Sequence, residues 1–168
     1  MLQIYFGDGK GKTTAAIGAA LRAAGSGMKV LFIQLLKNGN TGEVKKLKNI
    51  DGIEYFLPTE KYTLFSEDEE QKRRLSADYL SVLMSVDKNI SNYDMVIIDE
   101  ALGAVEYGFI EKSLMINLVN KHKEKTEIIL TGEPTVKELI FYSDYATEFV
   151  CVKHPYSEGI QARKGIEF

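Results

Sequence analysis

The chain is nearly devoid of cysteine, with Cys151 alone among 168 residues. One thiol excludes an intramolecular disulfide and a cysteine-based zinc site. Cys151 lies in the apolar run Phe149-Val150-Cys151-Val152, where a small residue is expected to be buried in a strand. An excess of basic charge is also missing, because 21 Lys and Arg face 24 Asp and Glu. Nucleic-acid binders present a basic face that releases counterions from phosphates, so no nucleic-acid partner is expected. The densest charge run, Glu67 to Arg74, is acidic first and basic afterwards and reads as a solvated helix start. No apolar stretch reaches the roughly 18–20 residues of a membrane span. Met1 leads directly into a strand-like run and a glycine loop, unlike a signal sequence. No membrane partner and a cytoplasmic, reducing location are therefore expected. Without repeats, low-complexity tracts or linkers, residues 1–168 are expected to form a single domain.

What the chain does contain is an alternation of short apolar runs and longer amphipathic ones. Leu2–Phe6, Val30–Leu36, Ile53–Leu57, Met95–Ile98, Ile128–Leu130 and Phe149–Val152 read as strands. Val30–Leu36 has the nearly continuous apolar character of a strand covered on both faces. Thr13–Ala24 is alanine-rich and helical, and Gly25 stops it. Ser66 with Glu69 forms a capping box, from which a helix is predicted to run to about Lys88. Ile110 to His122 is helical, and Pro134 suits the first turn of a helix reaching about Tyr142. The alternation predicts an α/β fold, a parallel β-sheet with helices on both faces; with the strand, glycine loop and helix described next, the expected fold is P-loop NTPase-like (RecA-like). Three stretches depart from it: the polar loop Asn38–Gly42, the aromatic loop Pro58–Phe65, and the tail Lys153–Phe168. Loops at the carboxyl ends of parallel strands are where such folds place ligands.

The strongest motif is Gly7-Asp8-Gly9-Lys10-Gly11-Lys12-Thr13-Thr14, between a strand and a helix. Glycines let backbone N–H groups converge on phosphate oxygens, and the helix N-terminus adds its positive end. Lys12 supplies a cation for the phosphates, and the Thr13 hydroxyl is placed to ligate Mg²⁺. The loop is a shortened variant, with Phe6 where the first glycine usually stands and with Lys10 as an extra lysine. Its companion is Met95-Val96-Ile97-Ile98-Asp99-Glu100, four apolar residues ending in two carboxylates, as needed to hold a phosphate-bound Mg²⁺. Asp99 and Glu100 both remain open as the metal partner. His122, at a helix end among lysines, is expected to complement the helix dipole. For His154 two readings stand level, a place near a ligand and a strand-end histidine satisfied by backbone. Arg163 and Lys164 are expected to face solvent.

Together these residues resemble the P-loop type of ATP:cob(I)alamin (corrinoid) adenosyltransferase. Gly7 to Thr14 is similar to that family's phosphate loop, Phe32 to Lys37 with Gly42-Glu43 to its second strand and following loop, and Asp94 to Glu100 to its acidic strand end. Lys153-His154-Pro155-Tyr156 with Gly159, Gln161-Ala162 and Gly165 to Phe168 is similar to its C-terminal signature. The resemblance implies transfer of the 5′-deoxyadenosyl group of ATP to cobalt(I) of a corrinoid with release of triphosphate, and an ATP held in reverse in the loop. Lys12, Thr13 and Glu100 would be catalytic, residues 7–14 would bind ATP, Thr13, Asp99 and Glu100 would hold Mg²⁺, and Tyr62 and Phe65 would seat the corrinoid. It further implies a reductase or flavoprotein as electron donor, and a homodimer. The chain departs from the family in lacking tryptophan in the aromatic loop, where Leu64 stands, in Glu133 after Thr131-Gly132, and in starting at the first strand without the N-terminal arm of longer members. Two rival readings are another P-loop phosphotransferase or ATPase, and a non-catalytic nucleotide-dependent corrinoid carrier.

Overall fold

Strands whose successive side chains are all apolar need cover on both faces, and the structure supplies it. The computed structural model describes residues 1–60 and 68–166. Its strands are β1 (Leu2–Phe6), β2 (Val30–Gln34), β3 (Ile53–Phe56), β4 (Met95–Asp99), β5 (Glu127–Thr131) and β6 (Tyr145–Glu148). They form one sheet in the order β3-β2-β4-β5-β1-β6, and every pairing is parallel. The helices are α1 (Lys12–Gly25), α2 (Gly42–Leu47), α3 (Glu69–Asn89), α4 (Ala101–Glu106), α5 (Lys112–His122) and α6 (Lys137–Phe141). Strand β5 separates the strand that carries the phosphate loop from the strand that carries the paired acids. This is the α/β arrangement expected from the alternation, and it is consistent with the P-loop NTPase-like fold expected from the glycine loop.

The period-two alternation of strands divides the core. On one face Val30, Phe32, Met95, Ile97 and Ile129 pack against Ala16, Ala20 and Ala23 of α1 and Leu47 of α2. Their neighbours Leu31, Ile33, Val96, Ile98, Ile128 and Leu130 point the other way, onto Leu75, Tyr79, Val82 and Val86 of α3 and onto Met115 and Val119 of α5. Among the described residues no helix is long and apolar enough to cross a membrane.

Several local expectations need correction. The cap of α3 is Asp68, whose carboxylate accepts from the Glu70 amide at 2.9 Å. Glu69 is therefore already helical, and Ser66 lies outside the described residues. Aspartate caps as well as serine does, and the later cap also places two acids in the positive first turn. The last strand lies at 145–148 instead of 149–152, because those four residues match β1 from Gln3 to Phe6. As an exposed edge strand, β6 shows no apolar signal. Cys151 is therefore in no strand and is half-buried. The helix expected from Pro134 begins at Lys137. Helices α2 and α4 went unforeseen, since six residues are too few to show a helical period.

Candidate functional site

The loop between β1 and α1 has a backbone that only glycine fits. Gly7 has φ +104°, and a Cβ there would stand 2.4 Å from the carbonyl oxygen of Phe149. A Cβ on Gly9 would meet the Phe149 carbonyl carbon at 2.7 Å. The cause is the segment after β6, which runs against the loop. The Phe149 amide donates to Phe6 O at 2.8 Å, the Gly9 amide donates to Phe149 O at 2.7 Å, and the Cys151 amide donates to Asp8 Oδ1 at 2.9 Å. On the other side the Gly7 amide donates to the Glu133 carbonyl at 3.1 Å, so the unexpected acidic side chain at 133 leaves this backbone contact in place. Lys12 Nζ reaches back over the loop to Gly7 O at 2.6 Å and Gly9 O at 2.8 Å. Lys10 extends to the tail and donates to Ile166 O at 3.2 Å. Gly11 caps α1 with φ +121° and no side-chain bond, so a helix N-terminus opens onto the loop. Thr14 is exposed on the first turn.

The carboxyl ends of β2, β4 and β5 meet the start of α1 at one carboxylate. The rows Phe32–Gln34, Ile97–Asp99 and Ile129–Thr131 share the α1 face by strand parity, so each apolar row ends in a polar residue, and Gln34 and Thr131 meet Asp99, which bonds Thr13. Asp99 is fully buried. Its Oδ1 accepts from Thr13 Oγ1 at 2.9 Å and from Thr131 Oγ1 at 2.6 Å, and its Oδ2 accepts from Gln34 Nε2 at 3.1 Å. Tyr55 OH donates to Gln34 Oε1 at 2.8 Å. Burial, aided by the nearby charges of Glu43 and Asp99, pushes the Tyr55 hydroxyl up to about 12, which keeps it a donor.

Glu100 stands next along the chain in a left-handed conformation, φ 61° and ψ 22°. That conformation is uncommon for a residue with a side chain, and such strain clusters at functional sites. It is held by the Glu100 amide, which donates to Thr131 Oγ1 at 3.0 Å, and by Lys37, whose Nζ lies 3.5 Å from the carboxylate. Burial pushes the Glu100 carboxyl up, Lys37 pulls it down, and the charge on Asp99 pushes it up again.

The structure thus brings Gly7 to Thr14, Asp99 and Glu100 to one end of the sheet. Thr13 bonds Asp99, while Glu100 turns to Lys37. The expected corrinoid residues Tyr62 and Phe65 lie outside the described residues. The Glu60 amide before them donates to Asp78 of α3 at 2.8 Å. His154 ends no strand. It caps the short 3₁₀ turn Pro155–Glu158, its Nδ1 accepting from the Tyr156 amide at 3.2 Å. Sequence reasoning missed Gln34, Tyr55 and Thr131 as partners of the site. The available signal was a single polar residue closing each of two apolar strand runs with the parity of Asp99.

A shortened glycine loop opening a helix, a lysine folded over it and a threonine–aspartate pair beneath it on a parallel sheet define a P-loop nucleotide-binding protein. Comparison with known proteins narrows the class. The model of the family "ATP:corrinoid adenosyltransferase BtuR/CobO/CobP" matches residues 1–168, and the chain belongs to that family. The corrinoid adenosyltransferase of Escherichia coli K12 is 29% identical over 167 residues, 98% of this chain and 84% of the relative. That of Pseudomonas aeruginosa is 28% identical over 172 residues, 100% of this chain and 83% of the relative. Corrinoid adenosyltransferase CobA of Salmonella typhimurium is 28% identical over 167 residues, with 98% and 84% covered. The chain is thus an enzyme of the corrinoid adenosyltransferase type, with ATP and a corrinoid as substrates, and the rival phosphotransferase and carrier readings are not favoured.

Proposed function

We propose that this chain, acting as a single domain, transfers the 5′-deoxyadenosyl group of ATP to cobalt(I) of a corrinoid and releases triphosphate. The observation that carries the reading is the convergence of Lys12, the loop amides and the Thr13–Asp99 pair in a chain matched to the family along its whole length. Cobalt(I) is itself a strong nucleophile. Its electron pair forms the bond to the 5′ carbon while the carbon–oxygen bond breaks towards the triphosphate. No general base is required. The protein has two tasks, to orient the 5′ carbon and to stabilise a highly charged leaving group. Lys12 and the helix N-terminus serve the second, with Lys10 beside them. ATP held in reverse leaves the 5′ carbon outermost, facing the corrinoid.

Mg²⁺ takes oxygen ligands, and a threonine hydroxyl and a buried carboxylate oxygen 2.9 Å apart at the foot of the loop fit it. Thr13 and Asp99 would hold the ion, with Glu100 close by, and bound there it neutralises phosphate charge. Tyr62 and Phe65 would seat the corrinoid's lower face and favour loss of its lower ligand, so that a reductase or flavoprotein can deliver the electron. A homodimer in the cytoplasm completes the reading.

The test is anaerobic. The protein is mixed with MgATP and pre-reduced cob(I)alamin, and the corrinoid spectrum and triphosphate are followed. Adenosylcobalamin with stoichiometric triphosphate is the expected result. ADP and phosphate would mean ordinary phosphotransfer, and bound ATP with no product would mean a carrier. For the corrinoid seat, Tyr62→Ala and Phe65→Ala should slow reaction from cobalt(II) more than from cobalt(I); equal slowing would argue against ligand displacement.

A further inference from the structure

The carboxylate under the phosphate loop is fixed from a direction that the loop itself does not supply. Asp99 is fully buried, Gln34 is 1% exposed, and among the described residues Asp99 makes no ion pair. Gln34 turns its side-chain nitrogen to Asp99 Oδ2 at 3.1 Å, and its oxygen therefore faces away. Tyr55 fills that outward position, donating to Gln34 Oε1 at 2.8 Å. The tyrosine is itself fixed, because its ring stacks on Phe32 with centroids 6.5 Å apart and planes at 17°. The register explains the reach. Tyr55 pairs with Phe32, Gln34 pairs with Asp99, and the long tyrosine side chain spans the remaining step along the sheet. A directional chain therefore crosses β3, β2 and β4, with each donor pointing towards Asp99.

We infer that Gln34 and Tyr55 are positioning residues, a relay that locks the Asp99 carboxylate with Oδ1 towards Thr13 and so prepares the metal-bearing side of the nucleotide site. The inference rests on the reading that Thr13 and Asp99 hold a nucleotide-bound divalent ion. Without the tyrosine hydroxyl the outward oxygen of Gln34 loses its donor, and the bond to Asp99 Oδ2 is left to hold the amide. Without the amide, Oδ2 loses its donor, and the orientation of the carboxylate rests on the hydroxyls at Oδ1 alone. Partners of this outer kind typically change metal affinity by about 10- to 100-fold.

ATP affinity is measured with Mg²⁺ and again with EDTA, and Mn²⁺ binding to the ATP complex is followed by electron paramagnetic resonance. The proteins are the full chain and its Gln34→Leu, Tyr55→Phe and Asp99→Asn variants. The expected result is that Gln34→Leu loses about 10- to 100-fold of the Mg²⁺-dependent gain in ATP affinity while its affinity in EDTA is unchanged, with a matching loss for Mn²⁺. Tyr55→Phe keeps the ring stack and should lose a measurable part of the gain, smaller than about tenfold. Full retention of the gain in both variants, with Asp99→Asn losing it, would overturn the relay and leave the metal reading standing. If Gln34→Leu fails to fold, Tyr55→Phe decides alone, and an unchanged gain there overturns the relay. No Mg²⁺-dependent gain in the unmodified chain would instead overturn the metal reading, and the relay with it.

Discussion

Asp99 at the strand ends and Asp87 on the seam between α3 and α5 are both carboxylates ringed by donors, yet they are built in opposite ways. Asp99 is buried and receives two hydroxyls and an amide, all neutral. Asp87 is 41% exposed and receives two basic side chains, with Lys121 Nζ 2.8 Å from both oxygens and His122 Nε2 at 2.7 Å. In water an ion pair gains little, because solvent screens the charges and the side chains lose freedom. Asp87 is therefore already neutralised locally and holds a surface seam together, beside the apolar groove lined by Leu80, Leu83, Leu114 and Leu118. In the dry interior the donors on Asp99 are neutral hydroxyls and an amide, so among the described residues no protein cation is paired with it. The same residue type becomes part of a ligand site in one setting and a surface fastener in the other.

The contrast can be tested by a graded series. Lys12→Ala removes the loop's own cation and should lower kcat by about 10²–10³; unchanged adenosyl transfer in the anaerobic assay would sink the phosphate-loop assignment. Gly7→Ala forces a side chain into positive φ and against Phe149 O, and should cost about 2–4 kcal/mol in urea unfolding. A smaller loss would mean that the segment after β6 yields easily. Thr131→Val strips one donor from Asp99 and leaves the Glu100 amide without its acceptor, a loss of about 1–3 kcal/mol.

Asp87→Asn is the matched change on the wet side and should alter stability near neutral pH by less than about 1 kcal/mol. Hydrogen bonds from Lys121 and then His122 hold the Asp87 carboxyl below its ordinary 3.8. Its contribution is therefore complete above that value and is lost as pH falls through the depressed native one. Unfolding midpoints of the variant and the unmodified chain should converge in acid. Equal losses for Thr131→Val and Asp87→Asn would erase the distinction between the two carboxylates.

Much of this was readable along the chain. The loop from Gly7 to Thr14 carried its own context, a strand before and a helix after, and the structure keeps both. Met95 to Asp99 showed its burial in composition alone. His122 was placed correctly at the end of a helix, but its partner Asp87, 35 residues earlier, was not foreseen. The C-terminal region was misread because β6 is a polar edge strand, while the apolar residues after it are spent on the loop. Cys151 follows the same logic, since its amide is committed to Asp8.

By itself the sequence determined the alternation of strands and helices, the phosphate loop with its lysines, and the pair of acids closing a buried strand, because each is a local pattern of size, charge and period. It left open whether Asp99 or Glu100 faces the loop threonine. Only the tertiary structure brought Thr13 to Asp99, turned Glu100 towards Lys37, and set Gln34 and Thr131 around the buried carboxylate. The three partners of Asp99 lie 32, 65 and 86 residues away along the chain. Strand order and register decide which polar strand ends meet, and no local pattern records them.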